Sequence, residues 1–143
     1  MAYEKDMETR VFLIWAVALV ATAGSLFFSE VLGYIPCELC WYQRILMYPL
    51  VLIYGTSLIK KNMDIALPGL FMSGIGSLVS IYHYCIQKIP ALSTTDSCGL
   101  VPCNGQYINV FGFITIPFLA GIAFLIIFII HLTLVRQKGR KEA

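Results

Sequence analysis

Four long apolar blocks, separated by short segments that carry nearly all of the charge, set the pattern of this chain. Residues 11–29 contain no charged side chain, and residues 41–59 contain one, Arg44. Residues 65–84 have only His83 and tyrosines as ionisable groups, and residues 110–135 only His131. A bilayer core about 30 Å thick is crossed by roughly 20 helical residues, so each block is long enough to span it. Strands of a membrane barrel alternate apolar and polar positions, which these blocks do not. The expected fold is an all-α integral membrane protein, a four-transmembrane-helix bundle forming one domain over residues 1–143. Its outer loops are expected at 30–40 and 85–109, and a short inner connector at 60–64. Pro49, Pro68 and Pro117, with Gly55, Gly69, Gly74 and Gly76, fall in or beside the spans. They are read as packing residues, because helix neighbours in a bundle satisfy the freed backbone groups and glycine permits close approach.

Composition agrees with the pattern. Of 143 residues, 59% are apolar and 13% charged, against about 25% charged in a soluble domain. That excess excludes a disordered chain, and a net charge of +2 lends nothing to nucleic-acid binding. Ala21-Thr22-Ala23 resembles a leader-peptide cleavage site, but the acidic leader and the apolar run continuing through Phe27 and Phe28 favour a full span. With both termini cytoplasmic, eight of the ten Lys and Arg residues lie on the inner side, and only Arg44 and Lys88 on the outer. Basic residues concentrate on the cytoplasmic side of membrane proteins, so this orientation is the expected one.

All five cysteines, Cys37, Cys40, Cys85, Cys98 and Cys103, then fall at the outer side, where disulfides persist. Cys37-Glu38-Leu39-Cys40 is a C-x-x-C at the expected start of the second helix, where backbone N–H groups favour a thiolate. Arg44 follows Cys40 by one helical turn and can share its face. A snorkelling arginine is the bland account, but a potential thiolate one turn away favours a functional one. Cys98 and Cys103 flank Gly99 and Pro102, which suit a tight turn, in the long outer loop.

Three readings of these four cysteines compete. Two inert staples would close small rings and gain little. A four-cysteine zinc site requires a C-x4-C at the edge of common ligand spacing. A relay, in which one dithiol–disulfide pair exchanges with the other, fits one activated pair and one on a loop, and is preferred. Cys85 reads as an inert thiol, and His131 as interfacial. Tyr82-His83-Tyr84 is either an aromatic belt or, with Gln87 one turn on, a site that hydrogen-bonds a polar head group near the outer interface. No C-x-x-C-H haem motif and no dinucleotide fingerprint is present, so a lipid-soluble quinone is the natural electron acceptor for such a relay.

Cys37-Glu38-Leu39-Cys40-Trp41-Tyr42-Gln43-Arg44 and the following Ile45-Leu46-Met47-Tyr48-Pro49-Leu50 closely resemble the DsbB-type disulfide-forming membrane proteins, especially their Bacillus branch, BdbC. The likeness extends to His83 and Gln87, the Cys98/Cys103 pair, Gly105-Gln106-Tyr107-Ile108-Asn109 and Phe111-Gly112-Phe113-Ile114-Thr115-Ile116-Pro117. Vitamin K epoxide reductase relatives carry their C-x-x-C late in the chain, unlike this one. The resemblance implies a quinone-dependent thiol–disulfide oxidoreductase that reoxidises an extracytoplasmic, DsbA-like (BdbD-like) thioredoxin-fold partner. It implies that Cys98 forms the mixed disulfide, that Cys103 exchanges with Cys37, and that Cys40 is freed as a thiolate and passes electrons to the quinone. Arg44, His83 and Gln87 are implied as quinone-side residues. Menaquinone is the expected acceptor by the Bacillus likeness, with ubiquinone as the alternative. Cys85 lies outside the four-cysteine pattern.

Overall fold

A computed structural model describes residues 2–92, 100, 101, 103 and 108–143. Cys98, Gly99, Pro102, Gly105, Gln106 and Tyr107 lie outside the described residues. Among the described residues there are four long helices: α1 (Ala2–Leu26), α2 (Glu38–Lys60), α3 (Leu67–Lys88) and α4 (Ile116–Glu142). A wider helical turn, Phe27–Val31, extends α1, and short tight turns cover Met63–Ala66 and Pro90–Leu92. The only strand-like pairing among the described residues is an isolated bridge between Val110 and Ile114.

Among the described residues, three helical stretches are long and apolar enough to cross a membrane: Ala2–Val31, Met63–Lys88 and Ile116–Glu142. The helices pack in a ring, α1 against α2 and α4, and α3 against α2 and α4. Buried positions recur at alternating steps of four and three. Among them are Gln43, Met47, Leu50, Tyr54 and Ser57 on α2, and Gly69, Ser73, Gly76, Ser80 and His83 on α3. A repeat of 3.5 residues keeps one seam of each helix facing its neighbours.

The α3 seam is mostly small and polar, while much of the outside is large and apolar. Leu52 is 72% exposed, Leu78 69% and Ile59 83%, yet Ser73, Ser80 and His83 are buried. This inversion belongs to a bundle whose outer surface meets lipid, because association there comes from close packing and interhelical hydrogen bonds. Gly69 permits a close approach: a Cβ there would sit 2.7 Å from the Tyr54 hydroxyl. A Cβ on Gly76 would collide with the Phe124 ring.

Tyr54 and His131 form the interior polar contact, with the Tyr54 hydroxyl 2.6 Å from His131 Nδ1. His131 is fully buried, so its expected interfacial place gives way to a core one: the α4 seam (Pro117, Gly121, Phe124, Ile127, His131, Leu134) carries it inward.

The fourth helix also departs from expectation. It begins at Ile116 rather than at residue 110, because Phe111 and Gly112 adopt left-handed backbone (φ 56° and 81°) and make a turn closed by the Val110–Ile114 bridge. Pro117 lies in the first helical turn, where its missing N–H costs nothing. Lys88 at the end of α3 fastens that turn by donating from Nζ to the Gly112 carbonyl at 2.6 Å.

At the opposite end the α2–α3 connection is tied to both terminal helices. Lys61 pairs with Glu8 at 2.7 Å, and Lys138 with Asp64 at 2.6 Å. Lys61 takes left-handed backbone to end α2 (φ 50°), and the Asn62 side chain accepts from the Asp64 N–H to open the next turn. The cysteine end and the charged end of the bundle are thereby held apart by the full length of the helices.

Candidate redox site

The site is built where α2 begins. Cys37 has extended backbone (ψ 175°) and precedes the helix, and its carbonyl accepts the first helical bond from the Trp41 N–H at 3.1 Å. The helix then turns Cys40 back over Cys37, with the two sulfurs 3.1 Å apart. Both are free thiols, Cys37 buried and Cys40 half-exposed.

From α3, five residues before the turn-fastening Lys88, His83 projects into the same space. Its Nε2 lies 3.6 Å from Cys37 Sγ and 3.1 Å from the Cys103 carbonyl oxygen. A carbonyl only accepts, so Nε2 carries the proton and donates to Cys103, with the Cys37 sulfur as the second acceptor in reach. Its Nδ1 faces the Gln43 side-chain amide at 3.2 Å and accepts from it. Gln43 is buried and was no part of the expected site. Its register was the available signal, since Gln43 lies four residues before Met47 on the buried seam.

This arrangement sets where charge rests in the dithiol. The S–H of Cys40 donates to Cys37, and with help from His83 and the Cys40 N–H it outweighs burial and lowers the Cys37 thiol to about 4. The same contact, reinforced by burial, raises the Cys40 thiol. In the reduced dithiol these contacts therefore favour the thiolate on Cys37. The backbone reason is plain: Cys37 stands at the helix mouth, where N–H groups and the dipole favour an anion.

Arg44 is also committed elsewhere. Its Nε donates to Ser25 Oγ at 3.1 Å and a terminal nitrogen donates to the Ser25 carbonyl at 3.3 Å, while Tyr48 donates to the same hydroxyl at 3.4 Å. The guanidinium carbon lies 5.5 Å from the Trp41 ring centre. Arg44 thus clamps α2 to α1 beside the site, one turn beyond Cys40.

Cys103 is buried and disulfide-bonded. A four-cysteine zinc cluster is therefore not the arrangement here, because one of its four sulfurs is already in a disulfide. Gln87, one turn past His83, is half-buried, and Cys85 is a half-buried free thiol. The structure thus brings Cys37, Cys40, His83 and Cys103 together, with Gln43 behind them and Arg44 beside them; Cys98 lies outside the described residues.

A dithiol at a helix mouth, a histidine donor beside it and a disulfide-bonded cysteine on the same histidine, all at one end of a lipid-facing helical bundle, define a membrane thiol–disulfide exchange protein. The sequence profile of the family described as disulfide bond formation protein DsbB matches residues 8–134, and the chain belongs to that family. It is 61% identical over 139 residues to "Probable disulfide formation protein" of Oceanobacillus iheyensis, covering 96% of each chain. It is 54% identical over 135 residues to "Probable disulfide formation protein C" of Halalkalibacterium halodurans, covering 94% of this chain and 98% of that one. With "Disulfide bond formation protein C" of Bacillus subtilis it shares 52% identity over 140 residues, covering 95% of this chain and 99% of that one. No solved structure matches. Membership implies thiol–disulfide oxidoreductase chemistry in a multi-pass membrane protein, and DsbB-type proteins generally work with a DsbA-like partner.

Proposed function

We propose that this protein is a quinone-dependent oxidase of thiols that recharges an extracytoplasmic, DsbA-like (BdbD-like) partner and so supports disulfide formation in exported proteins. The observation that carries it is the His83 bridge. One imidazole touches Cys37 and the carbonyl of Cys103, so both redox pairs meet at one donor. In this reading α2 is the fourth span, both termini are cytoplasmic and the cysteines face outward. The eight-to-two division of Lys and Arg supports that orientation.

Electrons enter when a reduced partner dithiol attacks the Cys98–Cys103 disulfide, first at Cys98. The partner leaves as a disulfide, and the loop pair becomes a dithiol. Cys103 as thiolate then attacks Cys37 in a Cys37–Cys40 disulfide, expelling Cys40, and Cys98 attacks Cys103 to restore the loop disulfide. Two electrons now rest on Cys37 and Cys40. A low-pKa Cys37 stabilises that reduced state, which makes the Cys37–Cys40 disulfide a strong oxidant toward the loop pair.

A quinone, menaquinone or ubiquinone, supplies the remaining chemistry by accepting two electrons and two protons. The residues fit such a ring. Trp41, Tyr42 and Ile45 are exposed apolar side chains on the first turns of α2. Arg44 lies among them with N–H donors beyond the two spent on Ser25. Cys40 Sγ gives up its proton as the Cys37–Cys40 bond re-forms, and a second proton comes from water. His83 and Gln87 lie on the α3 side of this mouth.

Counting free thiols by alkylation and mass spectrometry, before and after adding quinone to the reduced protein, tests the reading. Two thiols, Cys37 and Cys40, disappear in the wild type, and Cys40→Ser abolishes quinone reduction. An unchanged count, or full activity in that variant, overturns it.

A further inference from the structure

The same three side chains that hold the dithiol also have the composition of a metal site. Cys37 Sγ, Cys40 Sγ and a ring nitrogen of His83 all lie within 4.8 Å of one another. We propose that the reduced protein binds one thiophilic divalent cation, of which Zn2+ is the physiological type, through Cys37, Cys40 and His83. This does not rest on the quinone reading, since it requires neither acceptor nor partner.

The geometry is close to what the ion demands. Tetrahedral zinc with Zn–S of about 2.3 Å and Zn–N of about 2.0 Å places sulfurs about 3.8 Å apart and sulfur about 3.5 Å from nitrogen. Cys37 Sγ and His83 Nε2 stand at 3.6 Å already, and the two sulfurs are at 3.1 Å. The sulfurs have to part by about 0.7 Å to reach that spacing, and Cys40, half-exposed on the first turn of α2, is the one placed to move. Two residues between the cysteines are also the common ligand spacing for zinc. The fourth position is left to water.

Gln43 is what lets His83 serve both purposes. As a thiolate donor His83 carries its proton on Nε2, with Nδ1 accepting from the Gln43 amide nitrogen. As a ligand it must present a bare Nε2, so the proton moves to Nδ1. Turning the Gln43 amide by half a rotation offers its oxygen to that Nδ1–H, the outer-shell bond that metal-bound histidines ordinarily make. The balance is simple: the ion takes both sulfurs as thiolates, one proton leaves Cys40, and the imidazole keeps its own on the other nitrogen. No electron moves. The Cys103 carbonyl loses its Nε2–H donor, so the ion detaches the loop pair from His83 and locks the first pair reduced.

The test uses full-length protein in detergent, reduced at the Cys37–Cys40 pair, titrated with Zn2+ against a chromophoric chelator, with Co2+ as a spectroscopic probe. One equivalent binds per chain, and the cobalt form shows thiolate charge-transfer bands and a tetrahedral ligand-field spectrum. Oxidising Cys37–Cys40 in the same polypeptide abolishes binding, and Cys85→Ser leaves it unchanged. Gln43→Leu weakens it by about 10–100-fold while the two-thiolate spectrum persists. Binding that survives oxidation of the pair, an octahedral cobalt spectrum without thiolate bands, an undiminished affinity in Gln43→Leu, or no uptake at micromolar Zn2+ overturns the proposal.

Discussion

Replacing His83 by Leu removes the second donor to the Cys37 thiolate without altering the Cys40 contact. In the wild type the Cys37 thiol sits at about 4, held there by the Cys40 S–H first and by His83 after it, against the opposing effect of burial. A hydrogen bond to a charged group contributes about 1.5–3 kcal/mol, and one pKa unit corresponds to about 1.4 kcal/mol. The Nε2–H is shared with the Cys103 carbonyl, which is nearer at 3.1 Å than the sulfur at 3.6 Å, so the lower end applies. The Cys37 thiol should rise by about one unit. The direction follows from the sign: losing a donor destabilises the anion, so a higher pH is needed to form it. Site-resolved alkylation of Cys37 across pH, read by mass spectrometry on metal-free reduced protein, measures the midpoint. The same change makes the disulfide less oxidising by roughly 30 mV per 1.4 kcal/mol, readable against a glutathione buffer. A midpoint that stays put, or moves down, refutes the role given to His83.

Other perturbations separate the site from the scaffold. Arg44→Gln should raise the apparent KM for quinone more than that for the partner, in steady-state assays varying each in turn; equal effects would make Arg44 only the clamp to Ser25. Tyr54→Phe leaves His131 Nδ1 without its donor in the core and should cost about 1–3 kcal/mol of stability in detergent unfolding. Tyr54→Phe combined with His131→Leu should recover most of that loss, because removing both partners of a buried bond is far cheaper than removing one.

Much of this architecture is legible from sequence because lipid imposes a simple rule on the outer surface. Of the four spans expected from the apolar blocks, three are helices long and apolar enough to cross a membrane among the described residues, and the C-x-x-C foretells a dithiol at a helix start, as Cys37 and Glu38 bear out. Hydropathy fails on the inward seam. When every face of a helix is apolar or small, the period that separates inside from outside is carried by Gly, Ser, His and Gln, which hydropathy does not rank as core. Hydropathy therefore gives no sign that His131 and Gln43 are buried, although each stands three or four residues from the next buried position of its helix. Arg44 illustrates a second limit. Sequence spacing places it one turn from Cys40, but only the approach of α1 reveals that Ser25 takes its guanidinium. The start of α4 hinges on left-handed backbone at Phe111, a residue type that gives no warning of it.

The central claim is that the loop pair and the helix-mouth pair exchange directly through Cys103 and Cys37. Trapping the intermediate tests it: a Cys40→Ser, Cys98→Ser double variant leaves those two sulfurs without their usual partners. After mild oxidation, peptide mapping should recover a Cys37–Cys103 disulfide as the dominant species. Two free thiols, or Cys37 joined to Cys85 instead, would contradict the account.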